Sequence, residues 1–225
     1  MALVAEGSSD RMLLAPLRWL FRELGIDEPG PEIVRIPFER MPNPPDSLER
    51  RIRHVLDEGG WDLVLVHRDS DADRTTSRRV KEIREAEARA RAALERASVV
   101  PVIPLVPVRA TEAWLLFDER AIRSAAGNPD SRIPLGLPGL AGIEREGRPK
   151  ERLHDALRAA SGTTGRRRRK FEAGVACHRI EEFVESWRAL ESLPAFVELK
   201  DRLRAALESP GRSEPVGDVE RDEPL

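Results

Sequence analysis

Apolar runs alternate with amphipathic segments along the first half of the chain. Residues 2–5 and 62–67 are the clearest apolar runs, and residues 32–36 and 98–108 form two further ones. Runs of this length are typical of strands buried in a sheet, although the prolines of 98–108 favour an edge position or an irregular exit. Between the runs, apolar side chains recur at three- and four-residue steps, which predicts helices packed on the sheet. The alternation predicts an α/β fold with a mainly parallel sheet flanked by helices.

The pattern becomes helical after residue 109. The longest helix predicted before that point is the charged segment 76–97. Helices are predicted afterwards over residues 111–117, 119–125, 150–160, 166–187 and 194–207. The expected organisation is an α/β core over residues 1–109, a helical extension packed on it over residues 110–208, and a disordered acidic tail over residues 209–225.

Carboxylates stand at the predicted ends of two strands. Glu6 follows the first strand, and Asp69, Asp71 and Asp73 follow the third. Functional groups gather at the carboxyl ends of parallel strands, and side chains two residues apart point the same way in an extended segment, so these acids are expected to converge. Converging carboxylates repel unless a cation lies between them, which favours a site for Mg²⁺ or Mn²⁺. The alternative is an acidic turn that caps the next helix, a role that suits Asp73 in particular.

Two of these segments resemble motifs of the Toprim fold. Residues 3–10, an apolar strand with Glu-Gly before a helix, resemble its first motif, and residues 64–71, an apolar strand ending in Asp-x-Asp, resemble its second. Residues 106–116 and 193–196 extend the similarity to the DUF4276 family. The broad match covers about residues 1–110 and the narrower one most of the chain to about residue 207. The second strand departs from the family pattern, because it is short and is followed by prolines.

The resemblance implies a Toprim-like, Mg²⁺-dependent phosphodiester-cleaving enzyme, most plausibly a nuclease. Glu6 would be its general acid/base or a metal ligand, and Asp69 and Asp71 would hold the ion. The expected substrate is nucleic acid, with DNA favoured over RNA. Family association adds an ATPase partner and a role in defence against phage. A second copy of the chain, in a homo-oligomer, is a further candidate partner, and the oligomeric state stays open. The alternative is a non-catalytic Toprim-like subunit that binds nucleic acid or a nucleotide.

Five further residues near these motifs are candidates. Glu112 is either a ligand for a second metal ion or a partner for a helix N-terminus, and the two roles are equally supported. Arg109 is either a phosphate clamp or the ion-pair partner of Glu112, and Arg68 is a candidate phosphate contact. Asp10 is interpreted as a helix-start carboxylate rather than a site residue. His67, beside the acidic segment, is the histidine that merits a test.

The densest basic run lies in the second half of the chain. It comprises Arg166, Arg167, Arg168, Arg169 and Lys170. The run is either a contact for a nucleic-acid backbone or a solvated helix start. Cations at a helix start oppose the helix dipole, and this cost slightly favours an anionic partner.

Composition narrows the classes of function. With 38 basic and 40 acidic residues the net charge is −2, which excludes a uniformly cationic nucleic-acid coat. A single cysteine excludes an intramolecular disulfide and a multi-cysteine zinc site. No apolar stretch approaches the ~20 residues of a membrane span, and the first residues lack the features of a signal peptide. We therefore expect a soluble, cytoplasmic protein with no membrane partner.

Overall fold

The computed structural model describes residues 1–26, 32–70 and 75–208 of the 225-residue chain. Four parallel strands form one sheet in the order β2-β1-β3-β4. They are β1 (Ala2–Val4), β2 (Val34–Arg35), β3 (Val64–His67) and β4 (Val102–Leu105). This sheet and its flanking helices confirm the predicted α/β fold. The predicted tail, residues 209–225, lies outside the described residues.

Helices connect the strands and continue after the sheet. The α-helices are α1 (Leu14–Glu23), α2 (Leu48–Glu58), α3 (Ser77–Ala92), α4 (Glu119–Ala125), α5 (Pro149–Ala160), α6 (Gly165–Lys170), α7 (Ala173–Cys177) and α8 (Pro194–Glu208). Two 3₁₀ helices matter for the site: Ser8–Leu13 links β1 to α1, and Thr111–Leu115 follows β4. In the described part of the chain, no helix combines the length and the apolar character that a membrane crossing requires.

The two faces of the sheet belong to two hydrophobic clusters. Ala2, Val4 and Val66 pack with the apolar sides of α2 and α3. Leu3 and Leu65, on the opposite face, pack with α1 and with the helices that follow residue 110. The alternation follows from the strand geometry, which sends successive side chains to opposite faces. The helical extension and the sheet therefore share one continuous core.

The aromatic centre of that shared core joins the end of the chain to the 3₁₀ helix after β4. Trp114 is 1% exposed, and its ring meets that of Phe196 of α8 edge to face at a centroid distance of 5.1 Å. Trp19 of α1 also lies beside Phe196, with a distance of 6.3 Å between the ring centroids. Edge-to-face contacts of this kind add to the gain from burial. They fix the position of the Thr111–Leu115 helix relative to the sheet.

Two predicted helices differ from the observed ones. The segment predicted over 76–97 ends as a helix at Ala92, because Arg91 binds the carbonyls of Ser98 and Val100 and so holds the chain as it turns toward β4. The helix predicted over 166–187 is broken into α6, α7 and a 3₁₀ helix. The five cations that begin this segment offer no apolar face, so its packing on the core begins only with Phe171, just before α7.

The outer side of β4 is an edge, as its prolines predict, and it is blocked. The carbonyls of Pro101, Leu105 and Pro107 accept hydrogen bonds from β3 and the residues after it. The backbone groups of the residues that alternate with these, such as Val102 and Pro104, therefore point away from β3. The outward carbonyl of Val102 accepts a hydrogen bond from Arg84 at 2.6 Å. Pro104, also outward, has no N–H to offer.

Candidate functional site

The parallel register of β1 and β3 places their carboxyl ends side by side. Val4 is paired with Val66, which sets Glu6 level with Arg68 two residues beyond. The two side chains form an ion pair, with Glu6 41% and Arg68 26% exposed. Glu6 therefore lies at the carboxyl edge of the sheet with its side chain partly exposed to solvent, and its carboxylate is paired with the guanidinium of Arg68.

The turn after β1 is organised by Asp10. Its Oδ2 accepts hydrogen bonds from the backbone N–H groups of Glu6 and Gly7, each at 2.9 Å. Asp10 is thus a carboxylate at a helix start, as the sequence indicates. It is also 94% shielded from solvent, and its carboxylate faces the end of β3.

His67, the last residue of β3, lies between two carboxylates. Its Nδ1 is 3.2 Å from Oδ2 of Asp10, and its Nε2 is 3.2 Å from Oδ1 of Asp69. The contact with Asp10 is an ion pair by distance without hydrogen-bond geometry, whereas the contact with Asp69 has that geometry. The hydroxyl of Thr111 lies 3.2 Å from the same Nε2. The imidazole is 1% exposed, so these three groups form its polar environment in the described structure.

The surroundings of His67 favour its cationic form. Burial lowers the pKa of the imidazole, but the contacts and charges of Asp10 and Asp69 outweigh it and raise the pKa to about 9. Burial raises the pKa of Asp10, but the contact with His67 and the N–H groups of Gly7 and Glu6 outweigh it, and the net pKa is lowered. The group is therefore an imidazolium held between carboxylates near neutral pH.

Asp69 is fixed from the β4 side as well. Its Oδ1 accepts hydrogen bonds from the backbone N–H of Thr111 at 3.1 Å and from the hydroxyl of Thr111 at 3.5 Å. Its carbonyl accepts one from Nε of Arg79 at 3.0 Å. The next residue, Ser70, accepts a hydrogen bond from the backbone N–H of Arg109 at 2.7 Å. All the described contacts of the Asp69 carboxylate thus fall on Oδ1, which leaves Oδ2 available as a ligand.

Glu112 brings a further buried carboxyl group to this region. It is 7% exposed, and its Oε1 lies 3.9 Å from Nζ of Lys150 at the start of α5. Burial raises the pKa of Glu112, and the charges of Asp69 and Asp10 act in the same direction. Lys150 is therefore the cation beside Glu112, and no ion pair within the described ranges joins Glu112 to Arg109.

The donor types at this edge fit a hard divalent cation, since Glu6, Asp69 and Glu112 offer carboxylate oxygens. Across residues 1–26, 32–70 and 75–208, however, no group of three or more His, Cys, Asp or Glu side chains is placed to hold a metal ion. Asp71 and Asp73, the remaining acids of the expected set, lie outside the described residues. The described residues alone therefore do not form a cluster of three such ligands at this edge.

The basic run forms α6, which is far from these carboxylates in the sequence and lies on the protein surface. Arg166, Arg167, Arg169 and Lys170 are exposed, and none of them forms an ion pair with a described residue. The side chain of Arg168 lies outside the described set. Lys150, beside Glu112, lies near the start of α5, and α6 begins five residues after α5 ends at Ala160.

Two partners of His67 are not anticipated from the sequence. Asp10 is indicated there only as a helix-start carboxylate, and nothing in the sequence points to Thr111. A signal for Asp10 exists, because a carboxylate in the turn after β1 and a histidine at the end of β3 occupy the same edge of a parallel sheet.

Comparisons of this chain with known protein families, with curated proteins and with solved structures found no match.

Proposed function

We propose that this protein is a Toprim-like, Mg²⁺- or Mn²⁺-dependent enzyme that cleaves phosphodiester bonds in nucleic acid. The observation that carries the proposal is that carboxylates from separate parts of the chain lie at the carboxyl edge of the sheet. Glu6 follows β1, Asp69 follows β3, and Glu112 belongs to the helix after β4. Parallel α/β proteins bind their ligands at this edge.

Each group has a distinct role in this proposal. Asp69, oriented by His67 and Thr111 through Oδ1, keeps Oδ2 for the ion, and Asp71 supplies the next ligand. Asp69 and Asp71 would hold a divalent ion, which would neutralise charge on the phosphate and lower the pKa of a bound water. Glu6 takes the proton of the attacking water as general base, or gives a proton to the leaving oxygen as general acid. Glu112, with its raised pKa, is a second proton carrier or a further ligand.

Arg68 couples substrate binding to Glu6. In the free protein its guanidinium pairs with the Glu6 carboxylate. A substrate phosphate competes for the same guanidinium, because arginine binds phosphate and carboxylate with the same two-pronged geometry. Release of Glu6 from Arg68 would then coincide with substrate arrival, which makes the general base available only when there is a phosphate to attack.

The exposed cations of α6 extend the proposed substrate contact. The side chains of Arg166, Arg167, Arg169 and Lys170 are exposed, so they are open to the phosphates of a strand that extends beyond the carboxylates. DNA as the substrate and an ATPase as the partner in defence against phage belong to the proposal through the family resemblance.

A second candidate function is a binding module without catalysis. Every described carboxylate of the edge already faces a protein cation: Asp10 and Asp69 face His67, Glu6 faces Arg68, and Glu112 faces Lys150. These three cations offset most of the charge of the four carboxylates, so little charge is left for a metal ion to balance. This pairing favours a Toprim-like subunit that binds nucleic acid or a nucleotide through its arginines.

Cleavage assays distinguish the two candidates. We would incubate supercoiled plasmid, single-stranded DNA and RNA with the wild type in Mg²⁺ and in Mn²⁺, and compare Asp69→Asn and Asp71→Asn. The matched control is Asp57→Asn, because Asp57 is exposed near the end of α2. Metal-dependent cleavage that falls about 100-fold or more in the two site variants and persists in the control supports the enzyme. Binding by a wild type that cleaves none of the substrates supports the binding module.

A further inference from the structure

Arg109 has an unfavourable backbone conformation. Its φ is +70°, and it is the one non-glycine residue with a positive φ in the part of the chain that the structure describes. The N–H of Ala110 donates to the carbonyl of Val108 at 3.0 Å, so Arg109 is the central residue of a three-residue turn. A γ-turn with positive φ is rare and strained for a residue with a Cβ, whereas glycine accepts positive φ readily. Strain of this kind is concentrated at functional sites.

The side chain of Arg109 is unusual as well. Four described arginines have a side-chain nitrogen that is shielded from solvent and has no hydrogen-bond partner: Arg68, Arg109, Arg123 and Arg202. In three of them, Arg68, Arg123 and Arg202, the same guanidinium forms an ion pair with a glutamate. Arg109 has no ion-pair partner among the described residues, although its side chain is half-buried. A partly buried cation without a counterion is costly unless an anion joins it.

The turn is attached to the candidate site on both sides. The N–H of Arg109 binds the hydroxyl of Ser70, directly after Asp69. Two residues later, the N–H of Thr111 binds the Asp69 carboxylate. The backbone of Arg109 is therefore held against the segment that carries the proposed metal ligand. Glu112, the acid closest to it in sequence, is occupied by Lys150.

We propose that Arg109 is a preset phosphate-binding residue, whose guanidinium binds two oxygens of a phosphodiester group beside the one that is cleaved. The identity of the substrate rests on the proposed function, but the phosphate contact does not depend on cleavage. The strained turn holds the cation at the carboxyl edge before the substrate arrives, so little conformational freedom is lost on binding. Arginine suits this position because its planar fork binds two phosphate oxygens at once.

Binding without cleavage tests the proposal. Fluorescently labelled single-stranded and duplex oligodeoxynucleotides are titrated with the protein in EDTA at low salt, and anisotropy gives the Kd. Arg109→Gly accepts the positive φ and removes the cation, so we expect an unchanged or higher Tm together with affinity about tenfold weaker or more. Arg109→Lys keeps the charge without the fork, and its affinity should fall between the two. The control Arg22→Ala removes an exposed cation near the end of α1 and should change the Kd less than about twofold.

The outcomes separate this inference from the proposed function. An oligonucleotide with a methylphosphonate backbone, which has no charge, should abolish the difference in affinity between the wild type and Arg109→Gly. Competition with inorganic phosphate shows whether the isolated anion is enough to occupy the Arg109 site. Wild-type affinity in Arg109→Gly, or no oligonucleotide binding by the wild type, overturns the proposal. A fall in the Tm of Arg109→Gly also overturns it, because the arginine would then be structural. A wild type that binds through Arg109 and cleaves nothing overturns the nuclease alone.

Discussion

The free energy of unfolding should fall as the pH rises from 6.5 to 9, because His67 loses its proton over this range. Its pKa is raised to about 9 in the folded protein against 6.5 for a free histidine. A raised pKa means that the imidazolium stabilises the fold fully below pH 6.5, and that this stabilisation is lost progressively as the pH approaches 9. The lowered pKa of Asp10 has the opposite effect on the pH dependence of stability. The stabilisation by the Asp10 carboxylate is present at neutral pH and is lost only as the pH falls into the acid range.

The magnitude follows from the difference between the two pKa values of His67. Each pKa unit corresponds to about 1.4 kcal/mol, so the change from 6.5 to about 9 corresponds to about 3 to 4 kcal/mol. No reduction for solvent screening applies, because the imidazole is buried between Asp10 and Asp69. A loss on the order of 3 kcal/mol is a large fraction of the stability of a domain.

Urea unfolding followed by tryptophan fluorescence measures this effect. The wild type, His67→Gln and the control His54→Gln would be unfolded in EDTA at several pH values from 6.5 to 9. His54 is exposed on α2, so its replacement should leave the pH dependence of the wild type intact. The difference between the wild type and His67→Gln cancels the contributions of other titrating groups. A wild-type free energy that is constant over this range, or an equal slope in His67→Gln, would refute the assignment of an imidazolium.

Two further predictions concern the edge and α6. Glu6→Gln should abolish metal-dependent cleavage. It should lower the free energy of unfolding by less than about 1 kcal/mol, because the ion pair between Glu6 and Arg68 is partly exposed. Cleavage assays and urea unfolding of the same sample check both results, and a large loss of stability would contradict the proton-transfer role. Replacement of Arg166, Arg167 and Arg169 by Gln should reduce the slope of log K against log salt for single-stranded DNA by about 0.7 for each phosphate that these arginines neutralise. An unchanged slope would place the backbone elsewhere.

Local signals are sufficient for much of the fold. α4 begins and ends where the sequence predicts, since Asp118 caps it through the N–H of Ala121 at 2.9 Å and Gly127 follows it with a positive φ. The breaks within residues 166–187 are not predictable in this way, because helix propensity alone continues through the segment. What decides them is which residues reach the core, and that depends on α5, against which α7 packs.

The candidate site shows the same division. That Glu6 and Asp69 share an edge follows from the parallel strands alone, and the sequence predicts it. The partners of His67 do not follow in this way. Asp10 reaches it because a 3₁₀ turn folds back over β1, and Thr111 reaches it because a strained turn at Arg109 redirects the chain after β4. Both depend on contacts between residues that are far apart in sequence.

The blocked side of β4 limits how this protein can assemble. An additional strand needs free carbonyl and N–H groups on an exposed edge, and such edges are where chains pair by accident and aggregate. Arg84 and Arg91 already bind the carbonyls of Val102, Val100 and Ser98 along this side, and Pro104 has no donor. The other edge, β2, is two residues long. We therefore expect any partner, including a second copy, to dock on helices and loops rather than to extend the sheet.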